Sequence, residues 1–334
     1  ASMKRARILS AVSLAAAAAL ALSACGSAAE PSPQETPESA ASFPRTVEVP
    51  AARGGDPLSI TIEHEPQAIA ALDYESAEVI AELVLADRLV LIPEAVLNPA
   101  LGGHIDELSE VENAVPVAAD LDAEMVVSVA PDLVVMSPRH GAEDTIGSVL
   151  EQAGLTVLPL PSSWTSPETL AVNIDLIGQA TGADAEADEL EQAIAEGLEA
   201  GAAEGATDED RPRVLVLTNQ AGTPFATAGQ AFPLRLLDLA GGANVSEELG
   251  LERTGPISAE QIVESAPDGI LLIDMNGTGD RMFRELLDNP AVASLPATSD
   301  DRLLLVTGRQ VQALGLTTTA EGLASLTDWV AGLR

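Results

Sequence analysis

The hydrophobic pattern of the chain alternates between two kinds of segment from about residue 45 onward. Short, continuous apolar runs predict buried strands, and the longer segments between them, with apolar residues at helical spacing, predict helices. In the first half, the predicted strands are residues 68–72, 88–92, 133–136 and 156–160, and the predicted helices are residues 76–85, 123–129, 143–153 and 167–181. This alternation is typical of βα units with a mainly parallel sheet.

The same alternation returns after residue 211 and predicts a second lobe. Its predicted strands are residues 214–218, 270–274 and 303–307, and its predicted helices are residues 232–240, 259–265, 281–287 and 318–333. A chain of 334 residues is longer than most single cores, which also favours two lobes.

A single long helix is predicted between the two halves. Residues 183–206 are rich in Ala, Glu and Leu and contain no Pro, and Leu190, Ile194 and Leu198 recur every four residues along one face. The predicted fold class is therefore α/β, with two Rossmann-like βα lobes whose sheets are mainly parallel, joined by one long α-helix, and with the ligand cleft between the lobes. The predicted domains are an N-terminal lobe of residues 45–182, the linking helix of residues 183–206 and a C-terminal lobe of residues 211–334.

The two halves share an internal repeat. Residues 124–133 and 260–269 each begin with Glu, reach an Ala-Pro-Asp triplet at the same distance and run into a predicted strand. In each copy Pro ends a short helix, because it cannot continue one, and the buried strand follows. The repeat indicates that the two lobes are structurally equivalent.

The N-terminus has the layout of a secretory signal. Lys4, Arg5 and Arg7 precede an uncharged apolar stretch over residues 8–22 that is short for a membrane span. We therefore predict a signal peptide over residues 1–24 and export of the mature chain.

Cys25 follows this segment in the run Leu-Ser-Ala-Cys, which resembles the lipobox of bacterial lipoproteins. It is the only cysteine of the chain, so a disulfide within the protein is impossible, and lipidation accounts for its presence. The Pro- and Ser-rich residues that follow predict a disordered tether over residues 25–44. The expected location is the outer face of the cell membrane, where the lipid anchors the chain.

Composition and charge exclude some functions. The net charge of −36 repels phosphate backbones, so nucleic-acid binding is not expected. The sequence contains no Gly-x-Ser-x-Gly, His-Glu-x-x-His or P-loop motif, and we therefore expect no enzymatic activity. The three histidines lie far apart with no metal-ligand spacing, so a bare-metal site is not expected. We interpret His64 and His104 as surface residues and Trp329 as a core residue.

Several stretches together resemble the class III periplasmic binding proteins of ABC importers for ferric siderophores, haem and cobalamin. Residues 70–78 resemble the first strand and helix of that family, residues 124–135 its helix and Pro-Asp-Leu-Val strand, and residues 239–245 its Gly-Gly-x-Asn turn. The likeness covers roughly residues 56–334. It implies that the chain delivers a small-molecule complex to a membrane permease coupled to ATPase subunits.

The resemblance also assigns a role to one acidic residue on each lobe. Glu124 and Glu260 match the family positions that dock into arginines of the permease. Arg–carboxylate pairs suit such a contact, and two equivalent carboxylates fit a two-fold permease. The alternative is that both are solvated acids in the first turn of a helix.

Candidate ligand-binding residues follow from the fold. Ligands of open α/β sheets lie beyond the carboxyl ends of the strands, which here face each other across the cleft. This rule selects Tyr74, Arg139, His140 and Trp164 in the first lobe and Asn219, Phe225, Asn276, Arg309 and Gln310 in the second. Aromatic rings suit a large, partly apolar ligand, and Arg139 and Arg309 can attract an anionic complex.

The expected cargo is a ferric siderophore, and no intrinsic cofactor is expected. Haem is the first alternative, because His140 and Tyr74, the only tyrosine of the chain, can serve as axial ligands. Haem ranks second because the C-terminal lobe offers no tyrosine, and cobalamin remains a further alternative. No signal for oligomerisation is present, so a monomer is expected.

Overall fold

The chain folds as two α/β lobes, each built around one largely parallel sheet, in a computed structural model. The structure describes residues 42–51, 56–116, 122–137, 142–161, 164–204, 210–219 and 223–334. The predicted signal peptide, Cys25 and most of the predicted tether lie outside these residues. The predicted α/β fold class is confirmed.

The strands of the first lobe are β1 (Arg45–Val49), β2 (Leu58–Ile62), β3 (Ile69–Ala71), β4 (Leu89–Pro93), β5 (Ala114–Val115), β6 (Leu133–Met136) and β7 (Val157–Pro159). Five of them form a sheet in the order β5-β4-β3-β6-β7, in which all neighbouring strands are parallel. The helices are α1 (Tyr74–Glu82), α2 (Ile105–Leu108), α3 (Ala123–Ser128), α4 (Ala142–Gln152), α5 (Pro167–Thr181) and α6 (Asp184–Gly201).

An antiparallel hairpin of β1 and β2 precedes the first parallel strand. The hydrophobic pattern did not predict it, because its strands are short and bury only alternate residues at one end. Arg45 connects the hairpin to the rest of the lobe: its Nη1 donates to the carbonyl oxygen of Gln179 at 2.6 Å and pairs with Asp184 at 2.8 Å. The hairpin thus lies against the junction of α5 and α6.

The second lobe repeats the parallel arrangement. Its sheet has the order β11-β9-β8-β12-β13, with β10 pairing β8; β8, β12 and β13 are parallel, whereas β9 and β11 are antiparallel additions at one side. The strands are β8 (Arg213–Thr218), β9 (Phe225–Ala226), β10 (Ala243–Asn244), β11 (Gly255–Pro256), β12 (Gly269–Asp274) and β13 (Leu303–Thr307). The helices are α7 (Phe232–Leu239), α8 (Ala259–Ser265), α9 (Arg284–Leu287), α10 (Pro290–Ala293), α11 (Pro296–Ser299), α12 (Gly308–Val311) and α13 (Thr318–Gly332).

The long helix between the halves is α6, which ends at Gly201 rather than at the predicted residue 206. It buries Ala187, Leu190, Ile194 and Leu198 and packs against α5 of the first lobe and α13 of the second. One apolar core therefore continues from the first lobe through α5 and α6 into α13.

The internal repeat has one geometry in both lobes. The Ala of each Ala-Pro-Asp triplet adopts a left-handed backbone, with φ of 49° at Ala130 and 39° at Ala266. The following Asp then binds the start of the neighbouring central strand: Asp132 accepts N–H bonds from Gln67 and Ala68, and Asp268 accepts one from Arg213 at 2.7 Å. The repeat predicted that the two lobes are structurally equivalent, and in both lobes the Asp of the triplet makes the same kind of contact with the backbone of a central strand.

Across the described part of the chain, none of the helices combines the length and the apolarity needed to cross a bilayer.

Candidate functional site

A chamber of about 160 Å³ lies between the lobes, beyond the carboxyl ends of the central strands, and we call it the inner chamber. Residues of both lobes line it: Tyr74, Glu75, Trp164, Thr165, Thr218, Thr227, Ala231, Phe232, Thr254, Met275 and Gln312. Its position is the one that an open α/β sheet favours for ligands.

The start of α1 positions the first wall of the inner chamber. Asp73 is the N-cap of α1, and its carboxylate accepts the backbone N–H of Ser76 at 2.9 Å. This cap fixes the turn from which Tyr74 and Glu75 enter the chamber. Trp164 completes the wall, and its Nε1 donates to Ser137 Oγ at 2.8 Å, which orients the ring.

The second wall consists of hydroxyl groups on the sheet of the second lobe. Thr218 ends β8 and Thr227 follows β9, and the two side chains are buried, at 1% and 4% exposure. Among the described residues, neither hydroxyl oxygen has a hydrogen-bond partner. Thr254 differs, because its Oγ1 accepts the backbone N–H of Ala228 at 3.2 Å.

A second, larger space of about 610 Å³ adjoins the inner chamber, and we call it the outer groove. Thr165 and Ala231 line both spaces, so the two are direct neighbours. The start of α5 and the helix α7 face each other across the groove, which is lined by Thr165, Ser166, Glu168, Thr169, Arg211, Gly229, Gln230, Ala231, Leu234, Arg235, Asp238, Gly242, Ala243, Asn244 and Glu247.

Charges of both signs line the outer groove. Arg211 pairs with Asp238 at 2.6 Å, and Arg235 pairs with the same carboxylate at 3.2 Å. Glu168 at the start of α5 accepts a hydrogen bond from Ser166, and this bond, with the backbone N–H of Glu168 and the charge of Arg235, lowers its pKa. Because Glu168, Asp238 and Glu247 outnumber the two arginines of the groove, the described lining is not cationic.

The structure places Tyr74 and Trp164, two of the predicted ligand residues, in the inner chamber. Asn219 and Asn276 instead hold the turn after β12. Asn219 is buried, donates to Asp274 at 2.8 Å and accepts the backbone N–H of Met275 at 2.6 Å, whereas Asn276 donates to the carbonyl oxygen of Asn219. Burial raises the pKa of Asp274, but hydrogen bonds from Asn219 and from backbone N–H groups outweigh burial and lower it.

Three further predicted residues of the second lobe also lie outside the lining of the inner chamber. Gln310 closes a capping box, in which its Oε1 accepts the backbone N–H of Thr307 at 2.9 Å. Phe225 lies on β9, paired with Thr218 and Pro256. Arg309 lies in α12 and contacts the first lobe through its backbone. Arg139 and His140 lie outside the described residues.

A loop of the first lobe, residues 98–104, reaches across to the second lobe, and we call it the bridging loop. The carbonyl oxygen of Ala100 accepts the backbone N–H of Arg309 at 2.9 Å, and Asn98 Nδ2 donates to the carbonyl oxygen of Met275 at 3.4 Å. The lobes are therefore joined a second time, at the edge of the inner chamber.

His104 anchors the bridging loop, and its interpretation as a simple surface residue was wrong. Its Nδ1 lies 2.7 Å from Glu78 Oε2 and its Nε2 lies 2.6 Å from Glu82 Oε2. The side chain of Glu78 is fully buried, and its Oε1 also accepts the backbone N–H of Gly103 at 3.1 Å. The hydrogen bonds of His104 with Glu78 and Glu82 raise its pKa to about 10. The other interpretations agree with the structure: His64 is exposed, and Trp329 packs against the core.

Glu124 and Glu260 occupy equivalent places on the two lobes. Each is the second residue of its helix, α3 or α8, follows a side-chain N-cap and is exposed. The backbone N–H of Glu260 and the hydroxyl of Ser258 lower the pKa of Glu260. Met125 and Val127, exposed at 45% and 40%, lie beside Glu124 on α3.

No group of three or more His, Cys, Asp or Glu side chains within the described ranges is arranged to hold a metal ion. Four residues that line the site were not predicted from the sequence: Thr218, Thr227, Arg211 and Arg235. The sequence could have pointed to the two arginines, since basic residues are few in a chain with 52 acidic residues. It could not have pointed to the two threonines, because burial without a partner is visible only in three dimensions.

Comparison with known proteins identifies the family. A model of the periplasmic binding protein family matches residues 69–308, which is most of the chain. A curated protein of Bacillus subtilis (strain 168), named uncharacterized ABC transporter substrate-binding lipoprotein YvrC, is 26% identical over 277 residues, which cover 81% of each chain.

Solved structures share the fold. A periplasmic binding protein from Veillonella parvula superposes with a TM-score of 0.68 at 18% identity, covering 86% of this chain and 99% of that one. The periplasmic haem-binding protein RhuT from Roseiflexus sp. RS-1 superposes with a TM-score of 0.66 at 19% identity, covering 80% and 98%. A periplasmic haem-binding protein from Pseudomonas aeruginosa gives 0.62 at 23%, covering 79% and 92%. The chain belongs to the class III periplasmic binding protein family, the extracytoplasmic substrate-binding proteins of ABC importers, and is not an enzyme.

Proposed function

We propose that this protein captures a ferric siderophore between its lobes and delivers it to the permease of an ABC importer, which is driven by ATPase subunits. The protein acts as a monomer held at the outer face of the cell membrane by lipid on Cys25, and residues 25–44 let the lobes reach the permease. Residues 1–24 direct export and are removed.

The observation that carries this proposal is the lining of the cleft. Tyr74 and Trp164 offer aromatic faces on one lobe, and Thr218 and Thr227 offer hydroxyl groups on the other. A ferric siderophore combines an apolar backbone with oxygen atoms around the iron, so it needs both kinds of contact. The outer groove of about 610 Å³ falls within the usual range for small-molecule sites, whereas the inner chamber is smaller. The bulk of the cargo therefore occupies the groove, and one end enters the chamber.

The charges along the cleft favour a cargo of low net charge. The acidic residues that line the outer groove outnumber its arginines. A ferric tricatecholate is strongly anionic and would be repelled, whereas three hydroxamates neutralise ferric iron. We therefore rank ferric hydroxamates first among siderophores.

Haem is the second candidate, and the position of Tyr74 favours it. The phenol of Tyr74 lines the inner chamber, and tyrosinate is an axial ligand of haem iron in some proteins. His140, the other candidate ligand, lies outside the described residues. Among the described residues that line the inner chamber and the outer groove there is no histidine, which places haem behind the siderophore.

A tryptophan fluorescence titration tests the proposal. The purified protein is titrated with ferric desferrioxamine, a ferric catecholate, ferric citrate, haemin and cobalamin, and with the iron-free siderophores as controls. We expect saturable quenching by ferric desferrioxamine, because Trp164 lines the chamber. Saturation by haemin with a shifted Soret band would instead favour the second candidate.

The two tryptophans provide a matched pair of variants. Trp164→Phe is expected to abolish most of the quenching, whereas Trp329→Phe, whose ring packs in the core against Gly269, is expected to retain it. Quenching that survives in Trp164→Phe and disappears in Trp329→Phe would contradict the location of the site. A complete lack of response to all five complexes would reject the proposed cargo classes.

A further inference from the structure

Two buried hydroxyl groups in the inner chamber have no use within the protein itself. The Oγ1 atoms of Thr218 and Thr227 are inaccessible to solvent and have no hydrogen-bond partner among the described residues. Leaving a buried polar group unpaired destabilises the folded state, because the group has given up its hydrogen bonds to water. Most buried polar groups of native proteins are paired, so two exceptions that line one chamber need a cause.

The sheet of the second lobe brings these hydroxyl groups together. In the antiparallel ladder of β8 and β9, Thr218 is opposite Phe225, and Thr227 follows two positions later along the second strand. Side chains in this diagonal relation lie on the same face of the sheet, with Cβ atoms roughly 7 Å apart. A single multidentate ligand can therefore contact both.

Secondary structure holds both residues in place. Thr218 belongs to β8, which pairs with β9 and β12, and the backbone N–H of Thr227 donates to the carbonyl oxygen of Val216 at 2.8 Å. The backbone of both residues is thus fixed before a ligand arrives, and binding needs only the χ1 rotamer that turns each hydroxyl group towards the chamber, which limits the entropic cost of binding. Thr254 lines the same chamber, but its hydroxyl group already has a hydrogen-bond partner in the backbone.

We propose that Thr218 and Thr227 are the cargo-binding hydrogen-bond donors of the second lobe, and that they recognise acceptor oxygen atoms of a ferric complex that carries no net negative charge. This inference rests on the proposed function and adds the residues of the second lobe that bind the cargo. A threonine hydroxyl group can donate to carbonyl and hydroxamate oxygens, and the acidic residues that outnumber the arginines of the neighbouring outer groove disfavour an anionic complex.

Isosteric variants test this role. Thr218→Val and Thr227→Val keep the shape of the side chain and remove the hydroxyl group. Each is expected to weaken the binding of ferric desferrioxamine about tenfold, the effect of one lost hydrogen bond. Thr218→Ser and Thr227→Ser keep the hydroxyl and are expected to retain the affinity within about threefold of the wild type, which separates hydrogen bonding from packing.

Thr298→Val is the matched control. Thr298 also has a buried, unpartnered hydroxyl oxygen, but it lies in α11 and outside the lining of the chamber and the groove. All three Val variants are expected to melt at or above the wild-type temperature, because each loses an unpaired buried group, and only the two chamber variants are expected to lose affinity.

The outcomes separate this inference from the proposed function. If wild-type protein binds ferric desferrioxamine and the two chamber variants bind equally well, the inference is wrong and the function stands. If Thr298→Val loses as much affinity as the chamber variants, the effect is general and the inference is again wrong. If wild-type protein binds a ferric catecholate or ferric citrate but not ferric desferrioxamine, the inference is wrong and the function stands. If it binds none of these ferric complexes, the proposed function fails and the inference fails with it.

Discussion

At the scale of single residues, Asp132 and Asp268 explain why the sequence repeats. Each follows a buried Pro and a left-handed Ala, and each uses its carboxylate to hold the first residues of a neighbouring central strand. Hydrogen bonds from backbone N–H groups to a carboxylate are stronger than bonds between neutral groups. The triplet therefore sets where the central strands of both sheets begin, and thereby where their carboxyl ends meet the cleft.

Glu191 on α6 is a residue whose charge opposes folding. Its Oε1 is buried without a partner among the described residues, next to a small apolar cavity between α5 and α6. Burial, followed by the nearby charges of Asp175 and Asp188, raises its pKa to about 7. The folded state therefore keeps its proton better than the unfolded state does between about pH 4.5 and 7. Stability is lost as the pH rises through this range.

We expect Glu191→Gln to stabilise the protein above pH 7 and to have little effect near pH 4.5. At pH 8 the variant is expected to melt about 2 °C or more above the wild type, because the neutral amide avoids the buried charge. Glu189→Gln, on the exposed side of the same helix, is the control. Melting curves from pH 4.5 to 8 measure the effect, and an equal shift at both ends would contradict the account.

The sequence predicted part of the candidate site, and the residues themselves explain the division. Tyr74 and Trp164 stood out because aromatic residues make up only 2% of the chain and both follow predicted strands. Asn219 and Gln310 also follow strands, but there they stabilise a turn and a helix start. A polar residue after a strand can either cap a turn or helix or bind a ligand, so its position in the sequence alone does not distinguish the two roles.

At the scale of elements, the buried strands and longer helices could be predicted closely. Strands β6 and β13 and helices α5 and α8 have the predicted bounds, because each combines a clear apolar pattern with a Pro, Ser or Asp boundary signal. The hairpin of β1 and β2 was missed, as were the two-residue strands β5, β9, β10 and β11. Such short strands depend on pairing with distant neighbours, which a local pattern does not contain.

The bridging loop is the element that sequence reasoning had no means to find. One of its hydrogen bonds to the second lobe joins backbone groups of Ala100 and Arg309, which any sequence carries, and another is donated by the side chain of Asn98 to the carbonyl oxygen of Met275. Gly102 allows the close turn, since a Cβ there would overlap the carbonyl oxygen of Val96. The anchor of the loop is the ion pair of His104 with Glu78 and Glu82.

The anchor at His104 is expected to depend on pH in a defined way. The pKa of His104 is about 10 in the folded state because of its bonds to Glu78 and Glu82, and is near 6.5 in the unfolded chain. Its stabilisation is therefore fully present below pH 6.5 and declines as the pH rises towards 10. At acid pH the group that titrates is Glu82, whose pKa is lowered by His104. The stabilisation that comes from this lowered pKa is lost as the pH falls below about 4.5.

We expect His104→Gln to lower the melting temperature by at least about 5 °C at pH 6, because it leaves the buried carboxylate of Glu78 without its cation. The difference from the wild type is expected to shrink at pH 9.5. Hydrogen exchange at the amide of Arg309, which bonds to Ala100, is expected to become faster. His64→Gln, at an exposed position, is the control. A difference that does not change between pH 6 and pH 9.5 would show that the charge of His104 is not the cause.

At the scale of the whole molecule, several contacts fix the spacing of the lobes: α6 packs between α5 and α13, the bridging loop joins the lobes at the edge of the inner chamber, and α1 packs against residues 313–315. A fixed spacing also fixes the separation of features that repeat on the two lobes. Glu124 and Glu260 are such a pair, each exposed in the first turn of an equivalent helix. We propose that they dock into arginines of the permease, one on each lobe.

We expect the double variant Glu124→Gln with Glu260→Gln to bind cargo like the wild type and to lose iron uptake. Each lost Arg–carboxylate pair lowers affinity for the permease roughly tenfold. Cells that carry only the variant are supplied with radioactive ferric desferrioxamine, and uptake is measured alongside the affinity of the purified protein. Fluorescence quenching is expected to be unchanged, because neither glutamate lines the inner chamber or the outer groove.

The control for docking is a second double variant with the same loss of charge. Glu186→Gln with Glu285→Gln also removes two exposed carboxylates from first helical turns, in α6 and α9, and so removes the same favourable interaction with the helix dipoles. This variant is expected to take up iron normally. Equal uptake by the two double variants would contradict the docking role, whereas a loss confined to Glu124 and Glu260 would mean that the repeated helices mark where the two lobes meet the permease.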